Sequence, residues 1–193
     1  MPEIRYYAAP DGQQPFGRWF ADLEAVAGAK ISRALARLEQ GNFSNVKSVG
    51  EGVFEYRIDF GPGYRIYFGQ DGPRLVILLT GGKMVARTKS FRRLVEHRVK
   101  RDPKFAKALL VEGIDAMLSG DVDTGKILLR DYIKGTIGFE KLGVATGAPP
   151  KSLIRMFGPR GNPQAKNLFN VISYLQKRAG VRLHVAGVGR KAA

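Results

Sequence analysis

Two consecutive segments in the first half of the chain combine residue types that suit phosphate chemistry. Polar and apolar residues alternate along residues 53–60 and continue into residues 64–70, so each segment predicts a strand with polar side chains on one face. Those side chains are Glu55, Arg57, Asp59, Arg65 and Tyr67. Arginine stabilises the charge that develops on a phosphate under attack, and a tyrosine or carboxylate transfers protons. The pattern predicts an RNA-phosphate site, although a solvated sheet face with cross-strand ion pairs shows the same alternation.

The latter half of the chain contains two short segments with the spacing of a helix-turn-helix. Residues 139–147 and 148–157 each predict a helix, and Gly147 permits the turn between them. The apolar residues expected to pack these helices together are Leu142, Val144, Leu153 and Ile154. An ordinary helical hairpin gives a similar pattern, because short helix pairs are frequent.

The second helix of this pair and the loop after it carry side chains suited to DNA. We expect Lys151, Ser152 and Arg155 to point outward near the helix start, where recognition helices contact base edges in the major groove. Arg160 and Asn162 follow in the loop and are candidates for phosphate contacts. In an ordinary hairpin these side chains are only solvated.

For the first half, the pattern predicts an α+β fold in the order strand, two helices and a three-stranded antiparallel meander. Residues 3–8 give the first strand, Pro15 opens the first helix, and the second helix ends near Gly41. If residues 61–63 form a three-residue loop, Asp59 faces Arg65 and Arg57 faces Tyr67 across the first two meander strands.

For the second half, an all-α helix-turn-helix domain with a short terminal strand is predicted, because strand signals stop at Met84. Asp102 and Pro103 are expected to start one helix and Asp121 or Asp123 another. The helix that Asp102 and Pro103 start covers residues 105–118. The other segments are helices at 90–101, 139–146, 150–157 and 164–179, with Gly180 ending the last, and a strand at 181–185. The predicted secondary structure changes from strands to helices near residues 83–90, and the net charge rises at the same place. Two domains are therefore predicted, 1–83 and 84–193.

Positive charge is concentrated in the second half. The 193-residue chain has a formal net charge of +15. Residues 1–83 hold 10 basic and 9 acidic residues and contribute +1, so residues 84–193 contribute the remaining +14. Such an excess favours a polyanionic partner, bound through phosphate neutralisation and counterion release, over a merely solvated basic surface.

Composition narrows the chemistry further. The chain has no cysteine, and its two histidines, His97 and His184, lack the spacing of a metal-ligand set, so neither a metal nor a cofactor is expected. No apolar stretch approaches the roughly 20 residues that cross a bilayer. The first residues also lack the apolar run of a signal peptide. We therefore expect a cytoplasmic protein that does not bind membranes.

A specific sequence pattern occupies residues 41–43, 46–59, 61–68 and 76–82. It resembles the RelE/ParE superfamily, and more narrowly the HigB-like addiction module toxins, over about residues 3–83. The resemblance implies a small α+β toxin that in many relatives is a metal-independent ribonuclease acting on ribosome-bound mRNA. It gives Arg57 and Arg65 the role of neutralising the scissile phosphate, with Lys47 and Tyr67 as supporting basic and proton-transferring residues. Relatives continue into an aromatic-rich helix that is missing here, which implies an inert toxin half.

A second pattern occupies residues 101–110, 129–131, 139–157, 161–163 and 167–168. It resembles the HigA-like antitoxins, which carry a Cro/repressor-type helix-turn-helix, from Met84 to about residue 185. The resemblance implies a homodimer that binds and represses its own operator.

Together the two resemblances predict a fused toxin–antitoxin protein that binds operator DNA as a transcriptional autoregulator. The alternative is an active ribonuclease whose basic half binds mRNA at the ribosome. A third interpretation is an interaction protein whose toxin-like half docks a cognate toxin or antitoxin.

Overall fold

Alternating apolar residues in the first half and helical spacing in the second produce a mixed α/β fold. The computed structural model describes residues 2–9, 11–78 and 87–183. Within them lie six strands and eight helices: β1 (Glu3–Ala8), α1 (Pro15–Asp22), α2 (Ala25–Glu39), β2 (Val46–Gly50), β3 (Val53–Ile58), β4 (Tyr64–Asp71), β5 (Arg74–Leu78), β6 (Arg87–Ser90), α3 (Phe91–Arg101), α4 (Pro103–Leu118), α5 (Val122–Gly135), α6 (Gly138–Thr146), α7 (Pro150–Met156) and α8 (Ala165–Ala179).

The strands form one sheet in the order β2-β3-β4-β5-β1-β6. Strands β2 to β5 are antiparallel neighbours, β1 runs parallel to β5, and β6 runs antiparallel to β1. The sheet is thus larger than the expected three-stranded meander. The prediction of an all-α second half was wrong at β6, because the outer edge of β1 has backbone N–H and C=O groups that β6 pairs.

The register of β3 and β4 also differs from the prediction. Arg57 lies opposite Arg65, and Glu55 lies opposite Tyr67. The loop between these strands is longer than three residues, since Gly63 N–H donates to Phe60 C=O and Phe60 is not part of the strand. The pairing moves by two positions, so every side chain keeps its predicted face while its partner changes.

One face of the sheet packs against the helices. Because strand side chains alternate, Ile4 and Tyr6 of β1 and Ile66 and Phe68 of β4 all point into this core and are almost fully buried. Aromatic rings from three helices meet beside them: Phe20 packs edge-on against Phe91 and Phe105. Polar side chains occupy the opposite sheet face.

Helices α2 and α4 are joined by charged side chains as well as by the core. Glu112 of α4 is buried and accepts from Arg33 at 2.8 Å and lies 3.0 Å from Lys30, both of α2. In the same region Arg37 contacts Asp121 at 2.7 Å. These three cations of α2 are therefore bound by carboxylates from the second half.

The local helix signals read from the sequence are confirmed. Asp102 caps α4 by accepting from the Phe105 N–H at 2.9 Å, with Pro103 in the first helical position. Gly180 ends α8 in the left-handed conformation. The strand expected at 181–185 is wrong where it can be seen, because residues 181–183 have no regular structure and residues 184–185 lie outside the described part.

Candidate nucleic-acid interface

Two glycines allow α6 and α7 to approach each other closely. Gly147 follows α6 with a φ of 69°, a left-handed conformation that favours glycine and reverses the chain. A Cβ on Gly143 would lie 2.7 Å from the Ala148 C=O, so any larger residue there would push the helices apart. Leu142 and Leu153 are buried in the contact as predicted.

The other two expected packing residues do not take part. Val144 is 89% exposed and Ile154 is 40% exposed. On α6 the buried side consists of Phe139, Leu142 and Gly143, and Val144 lies beyond it, because each helical residue turns by roughly 100°. The prediction for Val144 and Ile154 was therefore wrong.

Four of the five predicted DNA-binding residues line one open groove. Ser152 and Arg155 of α7 and Arg160 and Asn162 of the following loop share a groove of about 590 Å³. Its opposite side is formed by polar residues of α8 and the chain entering it: Gln164, Asn167 and Asn170. Lys151 is exposed on α7 but does not line the groove.

The cations of this region, which we call the α7 surface (Lys151, Arg155 and Arg160), have no carboxylate partner among the residues that the structure describes. All three side chains are exposed, and no acidic group of the described ranges lies within ion-pair distance of them. Their charge is therefore available to an external anion. Hydrogen-bonding side chains beside cations are the combination that contacts phosphates and base edges.

The loop bearing Arg160 and Asn162 is held by a lysine that sequence reasoning missed. Lys126 of α5 is buried, and its Nζ donates to the Gly161 C=O at 2.7 Å while it contacts Asp123 at 2.7 Å. The one signal in the sequence is a lysine within a helix whose next three residues are apolar. Lys126 is thus a positioning residue for the loop.

The residues predicted for RNA chemistry come together around a carboxylate, in what we call the Glu55 cluster (Lys47, Glu55, Arg57, Arg65 and Tyr67). Glu55 is only 4% exposed. Its carboxylate accepts from Arg57 Nε at 2.6 Å and from the Tyr67 hydroxyl at 3.1 Å, and it lies 3.5 Å from Arg65 Nε. Lys47 faces Glu55 from β2. Asp59, expected beside Arg65, lies outside the strand.

Electrostatics couple the members of the Glu55 cluster. The hydrogen bond from Arg57 is the main cause that lowers the pKa of Glu55, and the bond from Tyr67 adds to it. The same contact raises the pKa of Arg57. Glu55 is therefore a carboxylate that remains ionised and offsets part of the positive charge of the two arginines expected to bind a phosphate.

Within the part of the chain described, no group of three or more histidine, aspartate or glutamate side chains is arranged to hold a metal ion. His97 is in α3, and His184 lies outside the described residues. No helix among those described is long and apolar enough to cross a bilayer.

The described residues form a mixed α/β protein in which Glu55 contacts two arginines on the sheet, while the cations of the α7 surface contact no carboxylate. The chain is similar to an uncharacterized protein of Haemophilus influenzae, with 48% identity over 68 residues, which covers 35% of this chain and 69% of that protein. The chain belongs to the same protein family as this Haemophilus protein. No protein-family model and no solved structure matches the chain.

Proposed function

We propose that this protein is a toxin–antitoxin module protein of the cytoplasm that binds operator DNA and represses its own transcription. Residues 1–83 correspond to a RelE/ParE-like, HigB-like toxin portion and residues 84–193 to a HigA-like antitoxin portion. The toxin portion is inert, and the protein acts as a homodimer, as its proposed family implies. This function requires neither metal nor cofactor.

The observation that carries the proposal is the α7 surface. A helix pair with a glycine turn presents Lys151, Ser152 and Arg155 to solvent, and the adjoining groove adds Arg160 and Asn162. A net charge of +14 over residues 84–193 supports the same ligand, because neutralising phosphates releases counterions.

The Glu55 cluster supports the inert toxin portion. A phosphate entering this cluster would meet the ionised Glu55, which already contacts Arg57 and Arg65. The negative charge of Glu55 would repel the phosphate and would weaken the stabilisation that the two arginines give to a developing charge. The alternative function, an active ribonuclease, lacks a comparable supporting observation.

The test is binding of the full chain to a labelled duplex taken from directly upstream of its own coding sequence. We expect the Lys151→Ala/Arg155→Ala variant to bind at least tenfold more weakly, since it removes two phosphate or base contacts. The matched control, Lys177→Ala/Arg178→Ala at the exposed end of α8, removes the same charge and should change affinity much less. Equal affinities for the wild type and the Lys151→Ala/Arg155→Ala variant would contradict the proposal.

A further inference from the structure

The cations of helix α3 lie on two sides of the helix. Those on the inner side contact carboxylates or backbone carbonyls, and those on the outer side are exposed. The helix holds five arginine or lysine residues and one glutamate. On the inner side, Arg98 donates to the Phe20 and Leu23 carbonyls and contacts Asp102, while Arg92 contacts Glu39 at 2.5 Å. These inner cations are therefore part of the packing between the helices.

The outer side of α3 carries Arg93, His97, Lys100 and Arg101, and Lys89 of β6 precedes them. We call these five residues the α3 basic face. All five side chains are exposed. Residues three or four apart share one side of a helix, so Arg93, His97 and Lys100 or Arg101 form a row. The helix is about 16 Å long at its usual rise. That length covers several phosphates of a strand, which are spaced by roughly 3.4 Å along a duplex.

Nearby carboxylates do not neutralise the α3 basic face. Glu96, the one acidic residue of α3, contacts Lys134 of α5 at 3.1 Å. Glu3 contacts Arg5 at 2.9 Å and Arg74 at 3.9 Å. Across the three described ranges, no ion pair involves any member of the face. Its charge therefore remains available to an external anion.

A groove runs along the start of this face. Lys89 and Ser90 at the end of β6 and Arg93, Leu94 and His97 of α3 line one side of a space of about 890 Å³. Residues at the beginning of the chain line the other: Glu3, Arg5, Tyr6 and Gln14. Lysine, arginine and histidine donors thus converge on one open space that the mechanism proposed above does not use.

We propose that the α3 basic face is a second nucleic-acid-binding surface, which contacts the phosphodiester backbone independently of the α7 surface. The chemistry favours a nucleic acid over a membrane, because a helix that binds a lipid surface needs a broad apolar side. None of the exposed large apolar side chains in the described residues belongs to α3. DNA and RNA share the phosphodiester chemistry and are separated by experiment.

The experiment measures binding of the full chain to three labelled probes: a 20-base-pair duplex DNA of random sequence, a 20-nucleotide single-stranded RNA and a polyglutamate peptide. Lys89→Ala/Arg93→Ala is compared with the charge-matched control Lys177→Ala/Arg178→Ala. Both pairs are tested in the Lys151→Ala/Arg155→Ala background, so that the result does not depend on the proposed function of the α7 surface.

We expect Lys89→Ala/Arg93→Ala to weaken binding of a nucleic acid roughly tenfold relative to the control. The slope of log affinity against log salt concentration should fall by the equivalent of about two phosphate contacts. A larger loss for the duplex identifies DNA as the ligand, and a larger loss for the single strand identifies RNA. Arg93→Lys, which keeps the charge, should retain binding. Affinities equal to those of the control, or an equal loss of polyglutamate binding, would overturn the proposal. Unchanged thermal unfolding shows that the variant folds.

Discussion

The Glu55 cluster and the α7 surface contain similar cationic side chains in opposite electrostatic settings. In the cluster, Arg57 and Arg65 surround a buried carboxylate that is held on the sheet face. On the α7 surface, Lys151 and Arg155 project from a short helix with no carboxylate within reach in the described structure. Residue type alone therefore does not identify an anion site, because the decisive quantity is the charge that remains uncompensated after folding.

The same contrast extends to the helix interfaces. Arg33 and Lys30 contact Glu112, so these first-half cations stabilise the packing of α2 on α4 and are not free for ligands. We therefore expect that removing a carboxylate that contacts first-half cations changes the stability or the anion affinity of that half. Removing a cation of the second half should change mainly the affinity for nucleic acid.

The largest effect is expected for Glu112→Gln. It leaves Lys30 without its buried anion and Arg33 with Asp115 alone. We expect the free energy of unfolding to fall by about 2 kcal/mol, because a buried group that loses its hydrogen-bond partner costs roughly 1–3 kcal/mol. Urea unfolding measures this change. Asp115→Asn, at a more exposed carboxylate that also contacts Arg33, is the control and should cost well under 1 kcal/mol. Equal losses would remove the distinction between buried and exposed partners.

An intermediate effect is expected for Glu55→Gln. Loss of the carboxylate frees Arg57 and Arg65, so the full chain should bind a 20-nucleotide single-stranded RNA about tenfold more tightly, because both arginines can then contact phosphates. Asp59→Asn, in the exposed loop after β3, is the matched control and should leave the affinity unchanged. Addition of Arg57→Ala to Glu55→Gln should reverse the gain.

The lowered pKa of Glu55 determines how the RNA affinity of the full chain should depend on pH. Glu55 stays ionised in the folded protein as the pH falls through its ordinary pKa, so its contribution to stability is present above that pKa and disappears only below the lowered value. In the wild type, the arginines should therefore keep Glu55 as an ionised partner under mildly acidic conditions. A rise in RNA affinity of the wild type near pH 5, absent in Glu55→Gln, would show that the carboxylate is more weakly held than the geometry indicates.

The smallest effect is expected for Lys126→Met, which tests the positioning of the second-half cations. Loss of the hydrogen bond to the Gly161 C=O should loosen the loop that bears Arg160 and Asn162, and binding to the upstream duplex should weaken about fivefold, or about 1 kcal/mol. Lys134→Met, which removes the same charge from a more exposed position on α5, should weaken binding less. If both variants lose the same affinity, Lys126 contributes only general charge.

Features of the fold that depend on local signals could be predicted from the sequence. Asp102 with Pro103 marked the start of α4, and Gly180 marked the end of α8, since capping residues act within one helical turn. Gly147 marked the turn between α6 and α7 for a similar local reason. Alternation also placed Glu55 and Arg57 near the same predicted site.

Features that depend on distant partners could not be predicted. The polar strand Arg87–Ser90 has no apolar alternation, and its position is determined by the edge of β1. The partner of Arg65 depends on the length of the loop after β3, so Glu55 replaces the expected Asp59. Lys126 acts through a backbone carbonyl 35 residues away, which residue types do not reveal.

The position of β6 has a consequence for attempts to divide this protein. A fragment ending at residue 83 would lose the strand that covers the edge of β1, together with Phe91 and Phe105, which cover Phe20. Such a fragment would present an open strand edge beside exposed aromatic rings, a combination that promotes self-association. Residues 87–105 thus complete the sheet edge and the aromatic core of the first half, so any activity of residues 1–83 should be assayed within the intact polypeptide.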